Sequence, residues 1–226
     1  MTEKTVAIIV AGGTGSRMNS DIPKQFLILD GEEIISRTVN VFTDCEFVDE
    51  IIVVCHKDYI EHCTSLFKAK SNVKVIEGGN TRQESVFNGL SASKDSKYVL
   101  IHDAVRCLVT KDEIKKLYNT LVTQGSCTLA VKAKDTIKLS DEKGMVLKTI
   151  PRENLWQIQT PQAFLTNEIY KAHVYAQETY FNGTDDCSVM ENADKPIILT
   201  EANYENIKIT TPSDMEVAKV ILKGRK

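Results

Sequence analysis

The chain has 226 residues, with 28 basic and 31 acidic side chains and a formal net charge of −3. This length allows one α/β domain with a sizeable core, and because no linker, repeat or low-complexity tract divides it, we expect a single domain over residues 1–226. The interspersed charges give no nucleic-acid-binding face, and the six cysteines match no zinc module. No apolar run has signal-peptide or membrane length, so we expect a cytoplasmic protein with free thiols and neither nucleic-acid nor membrane partners.

The first predicted element is a buried strand over residues 6–10, which leads into a glycine-rich loop followed by Lys24. Glycines allow consecutive backbone N–H groups to approach a polyanion closely, and Arg17 and Lys24 add positive charge. The loop lacks the third glycine of a dinucleotide-binding turn and the Gly-Lys-Ser/Thr of a P-loop. A plain tight turn would explain the glycines but not the two cations. We therefore predict a nucleoside triphosphate site at Ala11-Gly12-Gly13-Thr14-Gly15-Ser16-Arg17-Met18.

The next hundred residues alternate short apolar runs with helical patterns. Runs that are apolar at consecutive positions are typical of parallel strands covered on both faces, so we predict an α/β fold with a doubly wound, mostly parallel sheet. Thr81 and Thr110 stand at N-cap positions with Glu84 and Glu113 three residues on, the spacing of a capping box. The predicted strands are 6–10, 51–55, 73–76, 98–101 and 128–131, and the predicted helices are 34–42, 58–69, 81–92 and 111–122.

Polar residues after these strands are candidates for a site, because ligands of an open α/β sheet bind at the carboxyl ends of its strands. A second glycine-rich turn at residues 77–80 precedes Ser85, and its backbone is suited to grip a base or ribose. Asp103 ends the fourth strand, where it either holds a ribose hydroxyl or Mg²⁺ or caps the next turn. His102 is assigned a structural role, since no Ser or Cys partner can be assigned to it.

The alternation breaks at residues 135–150, where alternating residues around a polar, glycine-bearing turn predict a β-hairpin. A two-stranded ribbon is marginally stable alone, so it must lie on its own domain or on another subunit. The chain then returns through residues 155–164 to helices at 167–179 and 185–193, and Thr184-Asp185-Asp186 either caps the second helix or presents carboxylates to a site. A strand at 207–210 carries Lys208, and a last helix spans 212–222. With Arg17, Lys24 and Asp103, Lys208 gives a set suited to phosphoryl chemistry.

These segments resemble the GT-A-like nucleotidyltransferases, and among them the polyol-phosphate cytidylyltransferase family. The first loop together with Pro23-Lys24-Gln25-Phe26 is similar to the family's opening signature. The resemblance covers nearly the whole chain and is closest to the members that act on 2-C-methyl-D-erythritol 4-phosphate. The further segments that carry it are Gly78-Gly79 with Arg82 and Ser85, residues 102–106, residues 135–138, Arg152 with 155–156 and 159–164, residues 184–186, and residues 206–212.

The resemblance implies that CTP and 2-C-methyl-D-erythritol 4-phosphate give the CDP-linked alcohol and pyrophosphate, in non-mevalonate isoprenoid biosynthesis. It implies catalytic roles for Arg17, Lys24 and Lys208, which would offset charge at the α-phosphorus. It also implies Mg²⁺ bridging the triphosphate oxygens, with Asp103 as a metal ligand. The implied CTP-binding residues are Ala11, Gly12, Gly13, Thr14, Gly15, Gly79, Asn80, Ser85, Asp103 and Ala104, with aspartate often found in the family where Asn80 stands.

By the same resemblance, the hairpin at 135–150 is a dimerisation arm, and the protein is a homodimer. Thr136 and Arg152 would reach into the neighbouring subunit's site to hold the polyol phosphate, and Arg106 and Thr184 would complete that pocket. The family usually has proline where Cys107 stands, so we expect a looser turn there.

Two alternatives remain at this point. The Ala-Gly-Gly opening and Val105 also occur in ribitol-5-phosphate cytidylyltransferases, although residues 155–156 and 204–208 favour methylerythritol phosphate. A nucleotide-binding regulatory module without turnover is the alternative of a different class. The presence of Arg17, Lys24 and Lys208 argues against that module.

Overall fold

The structure is a computed structural model that describes residues 3–13 and 22–225. Its helices interleave with eleven strands among these residues. The strands are β1 (Thr5–Ala11), β2 (Ile28–Leu29), β3 (Glu32–Glu33), β4 (Glu50–Cys55), β5 (Val73–Glu77), β6 (Tyr98–Asp103), β7 (Cys127–Lys132), β8 (Ile137–Ser140), β9 (Val146–Ile150), β10 (Trp156–Leu165) and β11 (Ile198–Glu201). The α-helices are α1 (Ile34–Thr43), α2 (Ile60–Leu66), α3 (Arg82–Ala92), α4 (Lys111–Gln124), α5 (Thr166–Glu178), α6 (Asp186–Asn192) and α7 (Pro212–Gly224).

Seven of these strands form one sheet in the order β11-β7-β10-β6-β1-β4-β5. Strand β1 pairs in parallel with β4 and β6, and β4 pairs in parallel with β5. Strand β10 is antiparallel to both of its neighbours, β6 and β7. The predicted mostly parallel α/β sheet is therefore confirmed, with one reversed strand in its interior.

The sheet is covered on both faces, which explains why its strands are apolar at consecutive positions. Ile9 of β1 belongs to a cluster that includes Phe42 of α1, whereas its neighbour Ile8 belongs to a second cluster with Leu90 of α3. All four side chains are fully buried. Successive strand residues point to opposite faces of the sheet. A strand with alternating apolar and polar residues would therefore place polar side chains in one of these two clusters.

The two predicted capping boxes form to different extents. At α4, the Thr110 hydroxyl accepts the N–H of Glu113, whose carboxylate accepts the N–H of Thr110. At α3, the Thr81 hydroxyl accepts the N–H of Glu84 at 3.0 Å, but the Glu84 carboxylate accepts the N–H of Asn80 at 2.8 Å instead. The second box is therefore only half formed, and Glu84 braces the second glycine-rich turn.

Two predicted elements are wrong in detail. Residues 207–210 form no strand; Ile209 is buried and donates one backbone hydrogen bond to the Val105 carbonyl at 3.0 Å. This segment packs through Ile209 against the turn that follows β6, and the edge strand is β11, which pairs with β7. The predicted helix at 58–69 is shorter, because a 3₁₀ turn at Lys57–Tyr59 precedes α2.

The predicted hairpin is present as the antiparallel pair β8 and β9, which forms a sheet of its own. Its apolar side chains are exposed, among them Leu139, Met145, Val146 and Leu147. All six cysteines are buried and free, as predicted. Among the described residues, the helices are too short or too polar to cross a membrane.

Candidate active site

A cavity of about 370 Å³ lies where the loops after β1, β5 and β6 meet, a size typical of ligand pockets. Lys24 and Lys208, both predicted to be catalytic, contribute to its wall. Thr14, Gly15 and Arg17 lie outside the described residues. The predicted CTP-binding residues that line the cavity are Ala11, Gly12, Gly13, Gly79, Asn80, Ser85, Asp103 and Ala104.

The start of the first glycine-rich loop is fixed by Gln25. Its buried amide Nε2 donates to the carbonyl of Ala11 at 2.7 Å and to that of Gly13 at 3.0 Å. A Cβ added at Gly13 would meet no atom within 4 Å, so the space beside that residue is open. Sequence reasoning gave Gln25 no role of its own, although it stands next to Lys24 in the signature.

Lys24 lies in a 3₁₀ turn, Lys24–Phe26, and is largely buried. The turn is anchored in the core by Phe26, which stacks on Tyr59 with ring centroids 4.7 Å apart. Burial raises the pKa of Asp214, but backbone N–H groups and the nearby charge of Lys24 outweigh it and lower that pKa. The charge of Lys24 is therefore carried into the cavity wall by a turn that is anchored in the core and lies close to the start of α7.

The second glycine-rich turn is packed onto the start of α3. The Ser85 hydroxyl accepts the N–H of Gly79 at 3.1 Å and donates to the Thr81 carbonyl at 2.9 Å. A Cβ at Gly79 would lie 2.2 Å from the Cβ of Glu84, so only glycine fits. The hydroxyl of Ser85 thus orients the turn whose backbone borders the cavity.

Asp103, at the end of β6, is surrounded by cations. Its Oδ2 lies 2.7 Å from Lys208 Nζ and 4.0 Å from Arg106 Nε, and its Oδ1 accepts from Arg82 Nε at 3.2 Å. Burial favours the neutral acid, but Arg82 and Lys208 outweigh it and hold the pKa of Asp103 well below its usual range. The carboxylate is therefore ionised, and its cations are held in fixed positions.

Arg82 is a residue of the site whose role was not predicted from the sequence. It is the first residue of α3 and lines the cavity between Asp103 and a second carboxylate, Asp186. An arginine directly after a glycine-rich turn, at a helix N-terminus, is the signal that could have found it.

The turn that follows β6 is firmly held. His102 is fully buried, with Nδ1 3.0 Å from Thr160 Oγ1 and Nε2 3.2 Å from the Arg106 carbonyl, and burial lowers the pKa of His102 to about 3. The Arg106 N–H donates to the Asp103 carbonyl at 3.0 Å, and Cys107 is buried. His102 has the structural position that we predicted, whereas the looser turn expected from Cys107 is not found.

The four residues predicted for the polyol phosphate do not line this cavity. Arg106 is nearest to it, since its Nε faces Asp103 and its Nη1 donates to the Asn206 carbonyl at 2.8 Å. Thr136 and Arg152 are exposed at the base of the hairpin, and Thr184 is exposed just before α6. One chain alone therefore assembles the nucleotide half of the predicted site and not the other half.

Asp103 is the one carboxylate in the cavity wall among the residues that the structure describes. No group of three or more acidic, histidine or cysteine side chains that could hold a metal occurs within residues 3–13 and 22–225. Mg²⁺ commonly binds through one or two carboxylates together with substrate phosphates and waters, and a carboxylate offers about four lone-pair positions. The residues present therefore fit a metal that arrives with a nucleotide, and not an independent metal site.

Comparison with known proteins gives a consistent result. Residues 5–224 match the family model described as 2-C-methyl-D-erythritol 4-phosphate cytidylyltransferase. Proteins of that name from Clostridium botulinum and Lachnospira eligens are 44% and 41% identical over 224 residues, covering 97% and 96% of this chain and 97% and 99% of their own. The crystal structure of 4-diphosphocytidyl-2C-methyl-D-erythritol synthase from Anaerococcus prevotii is similar with a TM-score of 0.88 and 31% identity, covering 98% of this chain and 97% of its own.

Proposed function

The chain belongs to the 2-C-methyl-D-erythritol 4-phosphate cytidylyltransferase family, and we propose that it transfers the cytidylyl group of CTP to 2-C-methyl-D-erythritol 4-phosphate in isoprenoid precursor synthesis in the cytoplasm. An oxygen of the polyol phosphate attacks the α-phosphorus, the bond to the β-phosphate breaks, and pyrophosphate leaves. The observation that carries the proposal is the cavity in which Lys24, Arg82 and Lys208 meet two glycine-rich turns at the strand ends.

The cations divide between two tasks. Lys24, fixed on its 3₁₀ turn, and Arg17 offset the charge that develops on the α-phosphoryl oxygens as the bond to the attacking oxygen forms. Lys208 is held by Asp103 at 2.7 Å, and its side chain is 41% exposed, so a phosphate oxygen can share its ammonium group. The backbone of residues 11–13 and 79–80 surrounds the nucleotide.

Mg²⁺ supplies charge neutralisation of the triphosphate when bound, and Asp103 would hold it. We expect that removing divalent cations with excess EDTA lowers pyrophosphate release to background, and that added Mg²⁺ restores it. The reason is that, among residues 3–13 and 22–225, Asp103 is the one carboxylate in the cavity wall, and a single carboxylate binds Mg²⁺ together with substrate phosphates. Unfolding followed by circular dichroism in EDTA serves as the control, and we expect an unchanged transition. Full turnover in EDTA would contradict the role of the metal.

We also propose that the protein is a homodimer joined through the hairpin. The apolar residues of β8 and β9 are left exposed by the part of the chain that the structure describes, and the polyol-phosphate residues Thr136 and Arg152 stand at the base of this arm. An exposed apolar strand pair is suited to a second copy of the chain. The neighbour's arm would then complete the half of the site that one chain leaves open.

Replacing Leu139 with lysine is expected to convert the dimer to a monomer, because it places a charge on an apolar surface that the dimer buries. Light scattering after size-exclusion chromatography would report the mass, and turnover should fall with dimer content as the neighbour's Thr136 and Arg152 leave the site. Lys138→Glu, on the opposite face of the same strand, is the matched control and should stay dimeric. A wild-type protein with the mass of one chain would contradict the proposal.

A further inference from the structure

A second carboxylate lies behind Arg82, away from the cavity. Asp186 is the first residue of α6, its side chain is 1% exposed, and it is not part of the cavity wall. Its Oδ2 accepts from Arg82 Nη2 at 2.8 Å. Asp186 therefore cannot touch a substrate, yet it is paired with a residue that borders the site.

Arg82 is held between the two carboxylates. Its Nε donates to Asp103 and its Nη2 donates to Asp186, so two points of the planar guanidinium are fixed. An arginine with a single carboxylate partner prefers to bind both of its oxygens in a bidentate pair. The bond to Asp186 prevents this, and Oδ2 of Asp103 is left to Lys208.

We propose that Asp186 is a positioning residue that acts through Arg82, keeping Arg82 on one oxygen of Asp103 so that Lys208 stays on the other. The expected effects on kcat rest on the proposed function, whereas the expected effect on the position of Lys208 does not. Without the charge of Asp186, Arg82 turns fully toward Asp103 and displaces Lys208. The ammonium group intended for the phosphates then loses its fixed position.

The surroundings of Asp186 are built to hold it still. The side-chain oxygen of Gln162, on β10, accepts the N–H of Asp186 at 3.0 Å and that of Cys187 at 3.1 Å. His173 of α5, 1% exposed, lies behind the carboxylate with its Nε2 3.5 Å from Oδ1 of Asp186. These hydrogen bonds hold the start of α6 against the sheet. The fixed Asp186 carboxylate in turn holds the guanidinium group of Arg82 in place.

The test compares Asp186→Asn with Asp185→Asn, which removes the same charge one residue earlier. The Oδ1 of Asp185 accepts the N–H of Ser188 and caps α6, a contact that asparagine keeps; the hydrogen bond from Gln162 Nε2 to Oδ2 is the one contact that it loses. We expect kcat of D186N to fall about tenfold, with the KM of each substrate within about threefold of wild type, since the loss concerns an interaction of the transition state. D185N should retain kcat within about twofold. Equal kcat values for D186N and wild type would overturn the proposal.

Two further measurements separate positioning from a purely structural role. In an Arg82→Met background, D186N should cause no additional loss of kcat, because the residue through which Asp186 acts is absent; multiplicative losses would overturn the proposal.

Acetylation of Lys208 by a water-soluble N-hydroxysuccinimide ester, followed by mass spectrometry, should be about threefold faster in D186N than in wild type and D185N, because an ion-paired ammonium is protected. Unchanged labelling would also overturn it. The labelling needs no turnover, so an inactive wild-type protein would contradict the proposed function and leave this test readable.

Discussion

Lys24→Ala is expected to lower kcat by about 10³-fold, because it removes a preorganised charge from the place where negative charge develops in the transition state. The KM values of both substrates should change much less, since the backbone of the two glycine-rich turns still surrounds the nucleotide. The free energy of unfolding should stay within about 1 kcal/mol of wild type, because Phe26 anchors the turn independently of the lysine. Pyrophosphate release under saturating substrates measures the effect.

The matched control for Lys24 is Lys57→Ala. Lys57 also lies in a 3₁₀ turn, after β4, but it is exposed and outside the cavity. It should retain wild-type turnover. Full activity of Lys24→Ala would remove the proposed role of this lysine, whereas a loss shared by both variants would indicate a general effect of positive charge.

Arg82→Met is expected to destabilise the fold by about 3–5 kcal/mol, because it leaves Asp186 buried without its cation. Burial raises the pKa of Asp186, but Arg82 and His173 outweigh it and lower that pKa in the folded protein. A carboxyl whose pKa is lowered by folding stabilises the fold above the pKa of its unfolded form and loses that contribution as the pH falls. The difference between wild type and variant, measured by urea denaturation, should therefore be largest near neutral pH and shrink below about pH 4.

A second substitution should rescue this variant. Arg82→Met with Asp186→Asn removes both charges of the buried pair and is expected to recover most of the lost stability. Arg225→Met is the matched control: the Arg225 side chain is 29% exposed, as that of Arg82 is, but its partner Glu205 is 47% exposed. Arg225→Met should lower the free energy of unfolding by no more than about 1 kcal/mol. Equal losses of unfolding free energy for Arg82→Met and Arg225→Met would show that the buried ion pair contributes no more to stability than the exposed one.

The sequence predicts those parts of the fold that depend on local pattern. Strands β1, β4 and β6 are buried on both faces, and this requirement is visible as consecutive apolar residues. The strand predicted at 207–210 is wrong because an apolar segment that packs against a turn has the same sequence pattern as a strand. Here Ile209 packs against the turn that follows β6. Strand β11 was missed because it is short and half exposed.

The candidate site divides in the same way. Asp103 and the two glycine-rich turns could be predicted, since each stands at the carboxyl end of a strand, and Lys24 follows the first of these turns in the sequence. The pairing of Arg82 with Asp186 could not, because the two residues are 104 positions apart and are brought together by helices α3 and α6, each of which packs against α5. The polyol-phosphate residues stay a prediction, since their proposed arrangement involves a neighbouring chain.

The central claim is that this cavity joins a cytidylyl group to methylerythritol phosphate, and the most direct measurement is pyrophosphate release from CTP with each of two acceptors. We expect kcat/KM with 2-C-methyl-D-erythritol 4-phosphate to exceed that with ribitol 5-phosphate by at least about 10²-fold, because a site that forms hydrogen bonds with one polyol leaves polar groups unpaired when another is bound. Equal or greater efficiency with ribitol 5-phosphate would contradict the choice of substrate. Binding of CTP without turnover of either acceptor would contradict the assignment as an enzyme.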